Sequence, residues 1–124
     1  MKKLDEFGKK LIQEVRDLTT EEYISIKSGQ MKSSEAQILF ELISGLNSNQ
    51  QSTLDSIVGE VIDRALHNTL RMFESSESMT VADKEKIELS CDIVESSDGL
   101  SGELYGDNGW FVKYSNNYLK RDIY

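Results

Sequence analysis

Ser48–Glu74 reads SNQQSTLDSIVGEVIDRALHNTLRMFE, and the rest of the chain has to be fitted to it. Leu54, Ile57, Val58, Val61, Ile62, Ala65, Leu66 and Phe73 recur at intervals of three and four, the spacing that lines one side of an α-helix. At about 100° of turn per residue, Glu60, Asp63, Arg64, His67, Arg71 and Glu74 gather on the opposite arc. The stretch therefore predicts one long helix with its apolar side in the core and its charged side in water. Ser48 and Gln51 have capping-box spacing, which fixes the start, and Ser75-Ser76 weaken the end.

Upstream, Leu4, Phe7, Leu11, Ile12, Val15 and Leu18 mark a first amphipathic helix that should pack on the long one, with Lys9, Lys10, Glu14 and Asp17 in water. Thr19 and Glu22 offer a second capping box before Tyr23, Ile24 and Ile26, and Gly29 can end that short helix in a left-handed conformation. Ser34 with Gln37 opens a third helix carrying Ile38, Leu39, Leu42 and Ile43, closed by Gly45. Four helices are expected before residue 75, and the absence of proline agrees.

After Phe73 the pattern changes. Ser75 to Ser78 reads as a loop, and Thr80 can cap a turn through Val81-Ala82-Asp83. Ile87, Leu89, Cys91 and Ile93 alternate with polar residues as on a half-buried strand, although Asp83 to Leu89 is also rich in helix formers. Ser96-Ser97-Asp98-Gly99 is turn chemistry, and Leu100–Tyr105 and Trp110–Tyr114 flank Gly106-Asp107-Asn108-Gly109 as two strands flank a hairpin loop. Tyr105 and Trp110 close the loop in one register, and an Asn108-Gly109 turn gives the other. The expected fold is a single α+β domain over 1–124. Its N-terminal four-helix portion, with one long central helix, packs on a small C-terminal antiparallel sheet of about three strands.

The chain carries 14 Lys plus Arg against 22 Asp plus Glu, a net charge of −8. All of that charge falls between Glu74 and Asp107, where ten acids face two bases. Such a balance argues against nucleic acid, whose binding depends on neutralising phosphates, and favours a basic protein partner. The single cysteine excludes an intramolecular disulfide and fits a reducing compartment. Met1 to Glu6 lacks the apolar run of a secretory signal, and no stretch approaches the ~20 apolar residues of a membrane span. The expectation is a cytoplasmic protein with no membrane partner.

Residues for catalysis are sparse. His67 with Asp63 and Glu60 makes a conceivable carboxylate-histidine metal face, but without a second histidine it reads as an exposed helix side with i,i+4 pairs. Cys91 alternates in phase with apolar neighbours in the most acidic part of the chain, the wrong setting for a thiolate. The glycines at 99, 102, 106 and 109 make turns, since no Lys-Ser/Thr pair follows them. No catalytic residue, metal or cofactor is assigned. The functional signal is a surface in which Asp98, Glu103, Tyr105, Asp107, Asn108, Trp110 and Tyr114 combine aromatic area with negative charge, as an anchor for a basic partner does. Trp110 and Phe111 could equally cover the long helix from inside.

Ser97-Asp98-Gly99-Leu100-Ser101-Gly102-Glu103-Leu104-Tyr105-Gly106, followed by Gly109-Trp110 and Lys113-Tyr114-Ser115, resembles a group of small bacterial proteins. In size and acidity the chain is similar to the immunity proteins of contact-dependent and polymorphic toxin systems. The resemblance implies stoichiometric occlusion of a basic toxin domain, without turnover or cofactor. It carries over no binding residue. The competing class is a structural or regulatory module that self-associates through its helices as a homodimer.

Overall fold

The structure, a computed structural model, describes residues 3–74, 97 and 99–116. Its N-terminal half is helical: α1 (Lys3–Leu11) runs through a π-helical stretch (Ile12–Asp17) into α2 (Leu18–Lys27), followed by α3 (Ser34–Ser44) and α4 (Ser48–Glu74). The C-terminal part is a 3-10 helix (Leu100–Leu104) and a short α5 (Trp110–Tyr114).

The first two expected helices are one continuous rod, and Thr19 does not start a new one. Its buried residues Leu4, Gly8, Ile12, Arg16 and Thr20 lie four apart. A strict four-residue step drifts by about 40° per step on an α-helix, and the wider i→i+5 turns of the π stretch compensate for part of that drift. Beyond Ile12 the inward side therefore becomes Arg16, Asp17 and Thr20, while Val15 and Leu18, expected in the core, are exposed.

Gly29 ends α2 at φ +80, as its position predicts. Ser33, one residue before the expected cap, accepts from the Ala36 amide at 3.2 Å, and Gln37 donates back to the Gly29 and Met31 carbonyls. The long helix begins with a reciprocal box made by Asn47 and Gln50, not by Ser48 and Gln51. The Gln50 amide donates to Asn47 Oδ1 at 2.9 Å and the Asn47 amide to Gln50 Oε1 at 3.0 Å. Gln51 donates instead to the Ile43 and Leu46 carbonyls, joining α4 to the end of α3.

Two expectations are corrected. In place of the hairpin of the expected C-terminal antiparallel sheet, the described residues hold a 3-10 helix and a short α-helix, and among them there is no strand. The Gly106–Gly109 turn does form, with Gly106 at φ +88 and the Gly109 amide donating to the Gly106 carbonyl at 3.0 Å, but helices flank it. Leu100 and Leu104 are four apart, and Trp110, Phe111 and Tyr114 follow helical spacing, so both segments bury more apolar area wound up than extended. Gly109 has extended backbone at the start of α5, and a Cβ there would collide with the Tyr105 carbonyl. The alternating stretch Ile87–Ile93, the Thr80 cap and the tail from Tyr118 lie outside the described residues.

The second correction concerns the sides of α4. Gly59, Asp63, Leu66 and Leu70 are buried, whereas Ile57 and Val61, expected in the core, are 54% and 60% exposed. The inward side is rotated from the expected one: Leu66 and Phe73 stay in or against the core and Asp63 joins them, while Arg64 and Arg71 remain exposed. The core joins Leu4 and Ile12 of the first rod, Leu66 and Leu70 of α4, and Leu100, Leu104, Trp110 and Phe111 of the C-terminal part. Trp110 meets Phe7 edge-on at 6.1 Å and lies so close over Gly8 that a Cβ at that position would enter the indole. Glycine at position 8 admits the tryptophan.

Candidate functional site

Three consequences of the π stretch converge beneath the site. Arg16 reaches α4, where Nε donates to Asp63 Oδ1 at 2.7 Å and an η nitrogen to Asp63 Oδ2 at 3.2 Å. Both side chains are almost wholly enclosed, so this is a desolvated, two-pronged ion pair. The other η nitrogen donates to Ser115 Oγ at 2.7 Å, and the guanidinium lies 4.8 Å from the centre of the Phe111 ring. Asp17, next along the widened helix, accepts from Ser115 Oγ at 2.7 Å and from the Asn116 amide at 2.8 Å. One buried cluster thus ties the first rod, α4 and the end of α5 together.

Above it lies a small polar pocket of about 180 Å³ lined by Glu60, Asp63, Arg64, His67 and Tyr105. The Tyr105 hydroxyl and His67 Nδ1 are hydrogen-bonded at 2.9 Å, and the Tyr105 ring leans edge-on against Phe111 at 5.7 Å. Burial of the ring raises the Tyr105 phenol above its ordinary pKa; Arg64 counteracts this, and Asp63 and Glu60 add to it. At neutral pH the phenol is therefore protonated and offers a hydrogen bond rather than a base. Arg64 Nε donates to Glu60 Oε1 at 2.8 Å on the pocket's rim. On the same side of α4, Glu74 accepts from the Ser101 amide, and this hydrogen bond holds its carboxyl below the usual range.

The pocket has room for a few water molecules and is smaller than the ~300 Å³ at which sites for organic ligands begin. Asp63 is committed to Arg16 through both oxygens. Among the described residues no group of three His, Cys, Asp or Glu is arranged to hold a metal ion, and no helix is long and apolar enough to cross a membrane.

The surface residues expected to act together are separated by the fold. Trp110 is 1% exposed and has no surface to offer. Glu103 is half-buried and accepts from Ser97 Oγ at 2.8 Å; Tyr114 is half-buried, its carbonyl accepting from Gln13. Tyr105, Asp107 and Asn108 do lie together on the outside, at and just before the 106–109 turn, with Tyr105 44% exposed. Asp98 lies outside the described residues. The reading from sequence missed His67 as the partner of Tyr105 and the whole Arg16–Asp17–Asp63–Ser115 cluster. One signal was present: Leu4, Gly8, Ile12, Arg16 and Thr20 form an unbroken four-residue series that includes a charged residue. No protein-family model matches the chain, and neither curated proteins nor solved structures provide a match.

Proposed function

We propose that the protein is a stoichiometric protein-binding inhibitor of the immunity type, acting in the cytoplasm without turnover on a basic toxin domain. The observation that carries this reading is Tyr105: almost half exposed, yet held by His67 on one side and Phe111 on the other, with Asp107 and Asn108 beside it. An aromatic ring fixed before binding loses little entropy on contact, which is how a few anchors come to dominate an interface. The net charge of −8 supports a basic partner through steering over distance, and neighbouring acids on the anchor face supply local complementarity.

The test is recovery of partners from the native host at low salt by wild type and by a Tyr105→Ala/Asp107→Lys variant, followed by titration calorimetry with the purified partner. The reading expects one basic protein, a 1:1 complex that weakens as salt rises, and at least about tenfold weaker binding by the variant. Equal affinity of the two proteins would remove Tyr105 as the anchor.

A further inference from the structure

The apolar side of α4 faces outward, and its composition points to a specific occupant. Leu54, Val58, Val61 and Ala65 step along the helix at intervals of four, three and four, the spacing of a straight helix-to-helix seam, and Ile57 widens it. Val61, Ile57 and Ala65 are exposed, Leu54 and Val58 half so. An open groove lined by Leu46, Leu54 and Ile57 together with Asn49, Gln50 and Thr53 continues the seam to the start of α4. The α4 seam is about 17 Å long. Apolar side chains left open along one side of the longest helix are the kind of surface that marks an interaction site on a soluble protein.

Charge selects among occupants. The molecule carries −8, so two copies repel over most orientations. On α4, however, every acid before Glu74 is matched by a base: Asp55 by Lys27 at 2.7 Å, Glu60 by Arg64 at 2.8 Å and Asp63 by Arg16 at 2.7 Å. The seam is therefore a neutral, apolar strip on an acidic protein. A basic partner gains nothing there that it would not gain better at the acidic residues, whereas a second copy meets a matching strip without like-charge repulsion.

We infer that the protein forms a two-fold symmetric homodimer in which α4 packs against α4 of a second copy along Leu54, Val58, Val61 and Ala65. Two-fold symmetry sets the helices antiparallel and makes the interface self-complementary. The Tyr105 face lies on the opposite arc of α4, since residues 60, 63, 64 and 67 line its pocket. The dimer would carry two such faces outward, and the inference does not rest on what those faces bind.

Sedimentation equilibrium of the full chain from about 1 to about 100 µM tests it, with wild type beside Val61→Glu and Tyr105→Ala. The expected result is a concentration-dependent dimer for wild type and Tyr105→Ala, unweakened by salt, and at least about a tenfold higher dissociation constant for Val61→Glu. Circular dichroism checks that each variant is folded. As a second readout, Leu54→Cys and Ala65→Cys proteins, each in a Cys91→Ser background, are expected to form a mixed disulfide with one another under mild oxidation, because the antiparallel seam sets residue 54 opposite residue 65. A monomer throughout the range, or a dimer that Val61→Glu leaves intact, overturns the inference. Loss of partner binding by Tyr105→Ala with dimerisation retained separates it from the inhibitor reading.

Discussion

The two sides of α4 are turned from where their residues suggest. One carries Asp63, His67 and Glu74 and is turned toward the rest of the molecule; the other carries Ile57 and Val61 and is turned to solvent. Hydrophobicity alone would keep Leu66 and Phe73 inward but turn Ile57 and Val61 in and Asp63 out. The inward side succeeds because each polar group on it meets a designated partner: Asp63 meets Arg16, His67 meets Tyr105, and Glu74 meets the Ser101 amide. Leu66 and Leu70 supply the apolar contact between them. A polar residue with a satisfied bond can be buried at little net cost, whereas an unpartnered one cannot.

The largest effect comes from halving the buried pair. Asp63→Ala leaves the enclosed Arg16 with Asp17, 3.7 Å away, as a remaining counter-charge and strips the guanidinium of two hydrogen bonds. The expected loss is about 3 kcal/mol, a large share of the stability of a domain this size. Urea unfolding followed by circular dichroism reads it as a lower midpoint. Arg16→Met with Asp63→Leu removes the two-pronged pair but leaves Asp17 enclosed without Arg16, held by the Ser115 hydroxyl and the Asn116 amide, so it should recover part of the loss. A double variant as unstable as the single one would mean that the geometry of the pair, rather than its charge, holds α4 in place.

The next effect is steric. Gly8 lies under the Trp110 indole, and Gly8→Ala gains up to about 1 kcal/mol of helix propensity. A Cβ in that position has to displace the ring, and overpacking of this kind costs about 1–3 kcal/mol. A net loss is therefore expected, together with a red shift in the emission of Trp110, the only tryptophan. An unshifted spectrum would place the indole away from α1.

These residues also mark how far the sequence could be read. The bounds of α4 follow from its periodicity, and the Gly29 and Gly106–Gly109 turns from glycine chemistry, because such signals are local. The orientation of α4 was not legible, since it depends on Arg16, 47 residues away, finding Asp63. The C-terminal part misled for a different reason. Glycines around 106–109 suit a hairpin as well as a turn between helices, and the choice lies in whether Leu100/Leu104 and Trp110/Phe111/Tyr114 are counted in steps of two or four. Of the candidate site, Tyr105, Asp107 and Asn108 were legible as an exposed group. Trp110 was not separable from them, because aromatic residues anchor cores and interfaces alike.

A smaller effect follows from Glu74, whose carboxyl titrates below the usual carboxylate range because it accepts from the Ser101 amide. The folded state prefers the charged form, so this contribution is fully present above the ordinary glutamate pKa of about 4.3 and is lost as pH falls through the lower, folded-state value. The midpoint of urea unfolding should therefore decline more steeply on acidification for wild type than for Glu74→Gln, with Trp110 emission reporting the core. Parallel pH profiles would show that Glu74 does not tether the Leu100–Leu104 turn.

The smallest effect is the sharpest test of the comparison. Ile57→Ser and Val61→Ser remove apolar side chains from the middle of the longest helix, where periodicity would assign each a loss of about 2 kcal/mol or more. Both are more than half exposed. At concentrations too low for association, each should change stability by no more than about 0.5 kcal/mol beyond its helix propensity. Leu70→Ala, on the other side of the same helix and fully buried, should cost about 2–5 kcal/mol. At concentrations where copies associate, the Val61→Ser deficit should grow, because a residue covered only in the dimer stabilises only the dimer. A large deficit at every concentration would instead mean that this side of α4 is buried within a single chain, and the two sides would then have to be exchanged.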